Sequence, residues 1–121
     1  MSDYRVRLGK YGEKLAAQYL ERQGCRVIDS NYYTQWGEID LIAENGNELL
    51  FCEVKTRTSD SCGYPEMAVD YHKVKKVLKA IQIYLNRKNI EKFWRFDIVS
   101  VEIDKENKKA RLKWFKGIGE I

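Results

Sequence analysis

Glu38, Asp40, Glu53 and Lys55 stand on either side of an Asn45-Gly46-Asn47 turn in the stretch WGEIDLIAENGNELLFCEVKTR, residues 36–57. Asn-Gly between two apolar runs is a strong hairpin signal, so Glu38–Ala43 and Leu49–Lys55 are expected to pair as antiparallel strands. If Asn45 and Gly46 form the turn, Asp40 lies opposite Phe51 and diagonal to Glu53. If Gly46 and Asn47 form it, or the loop is two residues longer, Asp40 faces Glu53. Either register sets Asp40, Glu53 and Lys55 on one face, with Glu38 joining by the same alternation. Carboxylates directly opposite one another are about 5 Å apart and repel by roughly 3 kcal/mol at an effective dielectric near 20. A divalent cation relieves that repulsion better than one lysine, and hard ions such as Mg2+ favour one or two carboxylates together with water and phosphate oxygens. A solvated hairpin face carries the same alternation of charge, with Glu53 and Lys55 as an exposed pair contributing about 0–1 kcal/mol. Spacing alone leaves both readings open.

The elements that must position these residues are legible around the hairpin. From about Arg7 to Gln23, Leu8, Tyr11, Leu15, Ala16, Tyr19 and Leu20 recur at helical spacing, and Gly24 is a plausible stop. Glu13 lies at the edge of that stripe beside Gly9, Ala16 and Leu20, small neighbours that would let another backbone or a substrate approach. Cys25–Thr34 reads as a strand, and Thr34-Gln35-Trp36-Gly37 turns it into the hairpin. Tyr32, Tyr33 and Trp36 could stack bases near the carboxylates or cap the core.

Thr58–Pro65 is polar and aperiodic, and its place directly after Lys55 suggests a flap over substrate. Val74, Val77, Leu78, Ile81, Tyr84 and Leu85 form the apolar stripe of a second helix, with Lys75, Lys76 and Lys79 on its other side and Lys73 flanking it. His72 reads as a surface residue. Phe93–Ile103 is a nearly continuous apolar run, as expected of a strand covered on both faces. Arg95 and Asp97 flank Phe96 as a structural charge pair, and Asp104–Asn107 turns the chain into a lysine-rich partner strand, Ala110–Phe115. The order is α-β-β-β-α-β-β, an α/β fold with a mixed central sheet flanked by helices.

Length and charge frame the partners. A chain of 121 residues is expected to form one domain over residues 1–121. Its net charge of +4 is unevenly spread: residues 1–70 hold 8 Lys and Arg against 12 Asp and Glu, and residues 71–121 hold 14 against 6. An acidic hairpin beside a basic half suits a metal-dependent site next to a nucleic-acid track, whereas lysines that merely solvate the surface would give the same count. The apolar runs suit neither a secretory signal nor a membrane span, so a cytoplasmic protein without a membrane partner is expected. Three cysteines at 25, 52 and 62 lack zinc-site spacing; reduced thiols are expected, with Cys52 in the core and Cys62 in a loop.

Asp40 followed by Glu53-Val54-Lys55 is similar to the D…(D/E)-X-K signature of the PD-(D/E)XK nuclease superfamily, with Ile39 where the superfamily name has proline. Gly12-Glu13, Ala16-Ala17, Tyr19-Leu20, Gly24, Asn31-Tyr32, Gly37–Ile42, Glu53–Arg57, Gly63, Lys73 and Arg95-Phe96-Asp97 together resemble the YraN family, itself similar to archaeal Holliday junction resolvases. The resemblance covers nearly the whole chain. It implies a restriction-endonuclease-like core and a Mg2+- or Mn2+-dependent endonuclease acting on nucleic acid, DNA foremost, with branched DNA as the form the resolvases suggest. By this resemblance Asp40, Glu53 and Glu13 would be metal ligands, and Lys55 would orient water or stabilise charge at phosphorus. Arg57, Lys73, Lys76 and Trp36 would then contact nucleic acid, although a rim salt bridge is an equal role for Arg57. Symmetric cutting of a junction would require a homodimer. The alternatives are a non-catalytic nucleic-acid-binding module on the same scaffold and a protein-interaction domain.

Overall fold

The computed structural model describes residues 3–59 and 70–118. Its elements are α1 (Tyr4–Arg22), β1 (Arg26–Thr34), β2 (Gly37–Asn45), β3 (Glu48–Thr58), α2 (Tyr71–Arg87), β4 (Phe93–Asp104) and β5 (Lys109–Phe115), in the expected order. They form a five-stranded sheet ordered β1-β2-β3-β4-β5, in which β3 and β4 are parallel and every other neighbouring pair is antiparallel. The helices cover opposite faces, an α/β arrangement compatible with a restriction-endonuclease-like core. Cys62, Gly63 and most of the proposed flap lie outside the described residues. Among those described, no helix is long and apolar enough to cross a membrane.

Local chemistry sets the element ends. Asp3 caps α1 by accepting from the Arg5 amide, and Gly24 ends it at φ +93, where a side chain would be strained. Asp70 caps α2, accepting from His72 and Lys73 amides. The β2–β3 hairpin pairs Asn45 with Glu48, so Gly46 and Asn47 form its turn. Gly46 has φ +62, whereas neither Asn45 nor Asn47 has positive φ. One positive-φ residue at the first central position is what a type II′ turn requires; an Asn45-Gly46 type I′ turn would require two.

Alternation along the inner strands builds two apolar layers. Leu49, Phe51, Phe96 and Ile98 pack with Val74, Val77, Ile81 and Tyr84 of α2. Leu50, Cys52, Val99 and Val101 pack with Ala16 and Leu20 of α1. Burial pushes the Cys52 thiol well up, consistent with an inert core cysteine. Tyr11 departs from the expected stripe: it is 50% exposed, and the buried line of α1 runs through Gly12, Ala16 and Leu20 at four-residue spacing. The helix meets β3 through a glycine because there is no room for a side chain. A Cβ at position 12 would lie 1.8 Å from Thr56 Oγ1 and 2.8 Å from Thr56 Cβ.

Asp97, wholly buried, is held by Arg95 Nε at 2.9 Å, Trp114 Nε1 at 2.8 Å and the Gly117 amide at 3.0 Å. This is the expected structural pair, extended to a network that fastens β5 and the following turn to β4. His72 is exposed, as expected.

Gly12→Ala should therefore cost about 1–3 kcal/mol by overpacking the α1–β3 contact. Urea unfolding checks this, and adding Thr56→Ala should recover part of the loss, since it removes the hydroxyl and methyl while leaving the Cβ contact.

Candidate functional site

The ladder between β2 and β3 runs from Asn45/Glu48 to Leu41/Cys52 and stops there. Beyond that point β2 stays paired with β1 through Ile39, Glu38 and Gly37, while β3 stays paired with β4 from Glu53 to Thr58. The sheet parts at the level of Asp40 and Glu53. In β2, Leu41 and Ala43 face the α1 layer, yet Ile39, of the same parity, packs in the α2 layer with Ile42. Strict alternation forbids this, so β2 rotates at Asp40. The Asp40 side chain takes over where the ladder ends: its Oδ2 accepts the Val54 amide at 2.8 Å.

Three carboxylates converge on this opening. One oxygen each from Glu13 of α1 and from Glu38 and Asp40 of β2 lie within 4.8 Å of one another, all on half-buried side chains. The close approach at Gly12 is what carries Glu13 in. Asn31 of β1 joins two of the three, donating from Nδ2 to Glu13 Oε1 at 3.0 Å and to Glu38 Oε1 at 2.8 Å, while its Oδ1 accepts from Lys10 Nζ at 3.4 Å. Lys10 Nζ is also 4.0 Å from Glu13. Asn31 has φ +49, a left-handed conformation that asparagine tolerates better than most residues. It falls between the Ser30/Leu41 and Tyr32/Ile39 pairs, level with Asp40.

Glu53 is differently engaged. Its Oε1 is 2.7 Å from Lys73 Nζ in the first turn of α2. Lys73's pKa is raised: burial acts to lower it, but the hydrogen bond and charge of Glu53, with Asp40 and Asp70, outweigh burial. Asp40 is pushed up to about 7, first by burial and then by its contact with Glu38 and the charges of Glu13 and Glu38, against the lowering effect of the Val54 amide.

Among the expected site residues, Glu13 and Asp40 come together, and Glu38, the weakest candidate by position, joins them. Glu53 lies across the opening with its charge met by Lys73, so Lys73 is tied to a carboxylate rather than projecting from an open face. Lys55 follows Glu53 on β3, half-buried and in register with Ser100; Arg57 is in register with Glu102. Lys76 is exposed on the next turn of α2. Trp36 is 39% exposed and has Lys79 Nζ 4.1 Å from its ring centroid, so one face is taken by a cation. Tyr32 packs edge-on against Tyr84 in the core, whereas Tyr33 is 67% exposed. Asn31 was no site candidate by sequence. Its signal, a polar residue within a strand pattern two positions after Asp29, is too common to single out.

The profile of a family described as "Uncharacterised protein family UPF0102" matches residues 12–101, a span that includes Glu13, Asn31, Glu38, Asp40, Glu53 and Lys73. The chain is 45% identical over 100 residues to a UPF0102 protein of Caldanaerobacter subterraneus subsp. tengcongensis, covering 82% of each chain. It is 41% identical over 108 residues to one of Syntrophus aciditrophicus, covering 88% of this chain and 85% of that one. With a UPF0102 protein of Syntrophotalea carbinolica it shares 38% identity over 122 residues, 100% of this chain and 98% of the other.

The raised pKa of Asp40 fixes the sign of a pH effect. The folded state holds a proton that the unfolded chain releases near pH 4, so the stabilisation is full below about pH 4 and is lost as pH rises through about 7. Asp40→Asn keeps an oxygen for the Val54 amide and removes the charge. Its Tm should exceed that of the wild type at pH 8 and approach it at pH 4. Asn31→Gly, which keeps the left-handed backbone and removes the amide, should lose about 1–3 kcal/mol at pH 8 and less at pH 4, measured by denaturant unfolding at both values.

Proposed function

The chain belongs to the UPF0102 family, and from that premise and the parted β2–β3 junction we propose that it is a divalent-metal-dependent nuclease hydrolysing phosphodiesters of nucleic acid. The observation that carries the reading is the convergence of Glu13, Glu38 and Asp40, from two elements, at a point where Asp40 is fixed by the Val54 amide and Glu53 and Lys73 stand across the opening. A surface that only solvates the sheet gains nothing from three half-buried carboxylates at this spacing. Each pair repels by about 3 kcal/mol at an effective dielectric near 20.

The donor set fits Mg2+ or Mn2+. All three groups are hard oxygen ligands, and the upward shift of Asp40 marks more negative charge than this desolvated setting holds comfortably. Glu13, Glu38 and Asp40 would hold the ion, with Glu53 adding a carboxylate from β3. When bound, such an ion neutralises the phosphate and acidifies a water nucleophile. Asp40's link to Val54 holds one ligand in place before substrate arrives. Lys55, two residues beyond Glu53, would orient the water or meet charge developing at phosphorus. Lys73, beside Glu53, would meet a substrate phosphate, and Arg57, Lys76 and Trp36 would extend the contact along the strand. DNA in the cytoplasm is the favoured substrate, and branched DNA, cut by a homodimer, is the form implied by resemblance to the resolvases.

The test is cleavage of labelled four-way junction, flap, single-stranded and duplex DNA, and of single-stranded RNA, with Mg2+, Mn2+ or chelator. Wild-type protein should cut at least one of them only with metal, and Asp40→Asn, Glu53→Gln and Lys55→Ala should each lose about 100-fold or more in rate while still unfolding cooperatively. Mn2+ should also raise the wild-type Tm at pH 8 but not that of Asp40→Asn. Binding of these nucleic acids that is indifferent to chelator and to Asp40→Asn, with no cleavage, would establish the binding-module reading instead.

A further inference from the structure

A second feature lies on the α1 flank of the carboxylates, away from the lysines of α2. A hollow of about 280 Å3 is bounded by Arg5, Gly9 and Lys10 of α1 and by Tyr33 and Glu38 of the β1–β2 pair, and it shares Glu13 with the candidate metal site. Gly9 leaves its helix wall open, for a Cβ built there would touch nothing within 4 Å. Tyr33 is directly opposite Glu38 in the ladder, and the nearby carboxylate raises the pKa of its hydroxyl. The aromatic ring is 67% exposed and beside the carboxylates. The cations on the same wall are also outward: the Arg5 side chain is 88% exposed and that of Lys10 58%. Their partners stand at long distances: Asp3 at 4.0 Å for Arg5, and Glu13 at 4.0 Å and Asn31 Oδ1 at 3.4 Å for Lys10.

We propose that this hollow binds one unpaired nucleotide of the substrate strand, its base stacked on Tyr33 and its phosphates met by Lys10 and Arg5, beside the carboxylates that act on the chain. The inference rests on the nuclease reading and deepens it by naming the substrate class as single-stranded or locally unpaired nucleic acid.

Three features of the site favour that occupant. A base inside a duplex has both faces covered by its neighbours, so away from duplex ends it is an unpaired base that can offer a face to Tyr33. A hollow of about 280 Å3 is of the size of a single nucleotide. Aromatic surface combined with lysine and arginine is the arrangement by which proteins hold single strands without reading sequence. A continuous duplex would instead be gripped through its backbone, for which an aromatic face gives no advantage. The glutamates at the inner end belong to the metal site. Lys10, close to Glu13, stands where a phosphate entering that site would pass.

The experiment measures binding in the Asp40→Asn background, so that cleavage does not intervene. The probes are a fluorescein-labelled twelve-thymidine strand, the matching uridine oligoribonucleotide and a blunt duplex of equal length, each at two salt concentrations. Tyr33→Ala should weaken single-strand binding about tenfold and leave duplex binding within about twofold, while Tyr33→Phe should retain most of it. Lys10→Ala and Arg5→Ala should each weaken binding and flatten its salt dependence. Preference for the thymidine or the uridine strand identifies the source of the nucleotide. Unchanged single-strand affinity in Tyr33→Ala, or equal losses for single strand and duplex, would overturn the proposal even if the wild type cleaves. Selective loss of single-strand binding in a protein that cleaves nothing would uphold the hollow and reject the nuclease reading.

Discussion

Mutual repulsion among Glu13, Glu38 and Asp40 is the constraint to which the surrounding structure answers. Their oxygens lie within 4.8 Å of one another on half-buried side chains, where water screens less than at an open surface. Such a cluster would push α1 from the sheet and widen the gap between β2 and β3 unless other contacts opposed it. Asn31 supplies donors to two of the three, the Val54 amide holds the third, and Asp40 keeps a proton to higher pH than an exposed carboxylate would. Each device reduces charge or fixes an oxygen, and none removes the cluster.

The fold can tolerate the opening because each parted strand keeps its outer neighbour. β2 remains on β1 and β3 remains on β4, so the ladder hydrogen bonds lost between the two inner strands are confined to the edge of the site. Apolar layers on both faces bind the hairpin before it parts. On the far side, the buried Asp97 network with Arg95, Trp114 and the Gly117 amide fastens β5 to β4. Such networks are costly when partly satisfied and stiff when fully satisfied; this one has three donors on one carboxylate. That network sits away from the opening, and close packing at Gly12 sets α1, with Glu13, against β3.

Much of this was legible in the sequence, for reasons that are local. The Asn45-Gly46-Asn47 turn, the period-two runs beside it and the α2 stripe each follow from short-range preference and burial of one face. The choice between Gly46-Asn47 and Asn45-Gly46 depended on which residue takes positive φ, to which both pairs are adapted by composition. Parity predicted Asp40 and Glu53 on one face, but parity assumes a strand that does not rotate. β2 rotates at Asp40, level with Asn31 and its left-handed backbone in β1, which spacing along β2 alone does not show. Tyr11 is exposed although helical spacing favoured it, because α1 turns Gly12 toward Thr56 of β3. Asn31 was hidden because its role depends on three residues distant in sequence. Lys73 is expected to contact phosphate from its place in the family pattern, and its pairing with Glu53 depends on how α2 docks on β3, which a helical stripe does not encode.

Lys73 is also the residue whose position ordinary helix physics disfavours. The first turn of a helix carries partial positive charge, and a lysine there is repelled by the same field that draws an acidic cap. Asp70 offsets part of that field by accepting the His72 and Lys73 amides. Glu53 supplies the rest, at 2.7 Å. The cost is therefore accepted in α2 to place a cation on β3. That cation keeps Glu53 from adding a fourth unbalanced negative charge to the opening. Lysine is suited to this because its ammonium is a compact charge on a flexible stem, able to leave one oxygen for another without rearranging a fork of donors. An arginine in its place would lock Glu53 more firmly and release it less readily. The site thus sets three carboxylates held by Asn31 and the Val54 amide beside a fourth, Glu53, whose charge is met by a lysine.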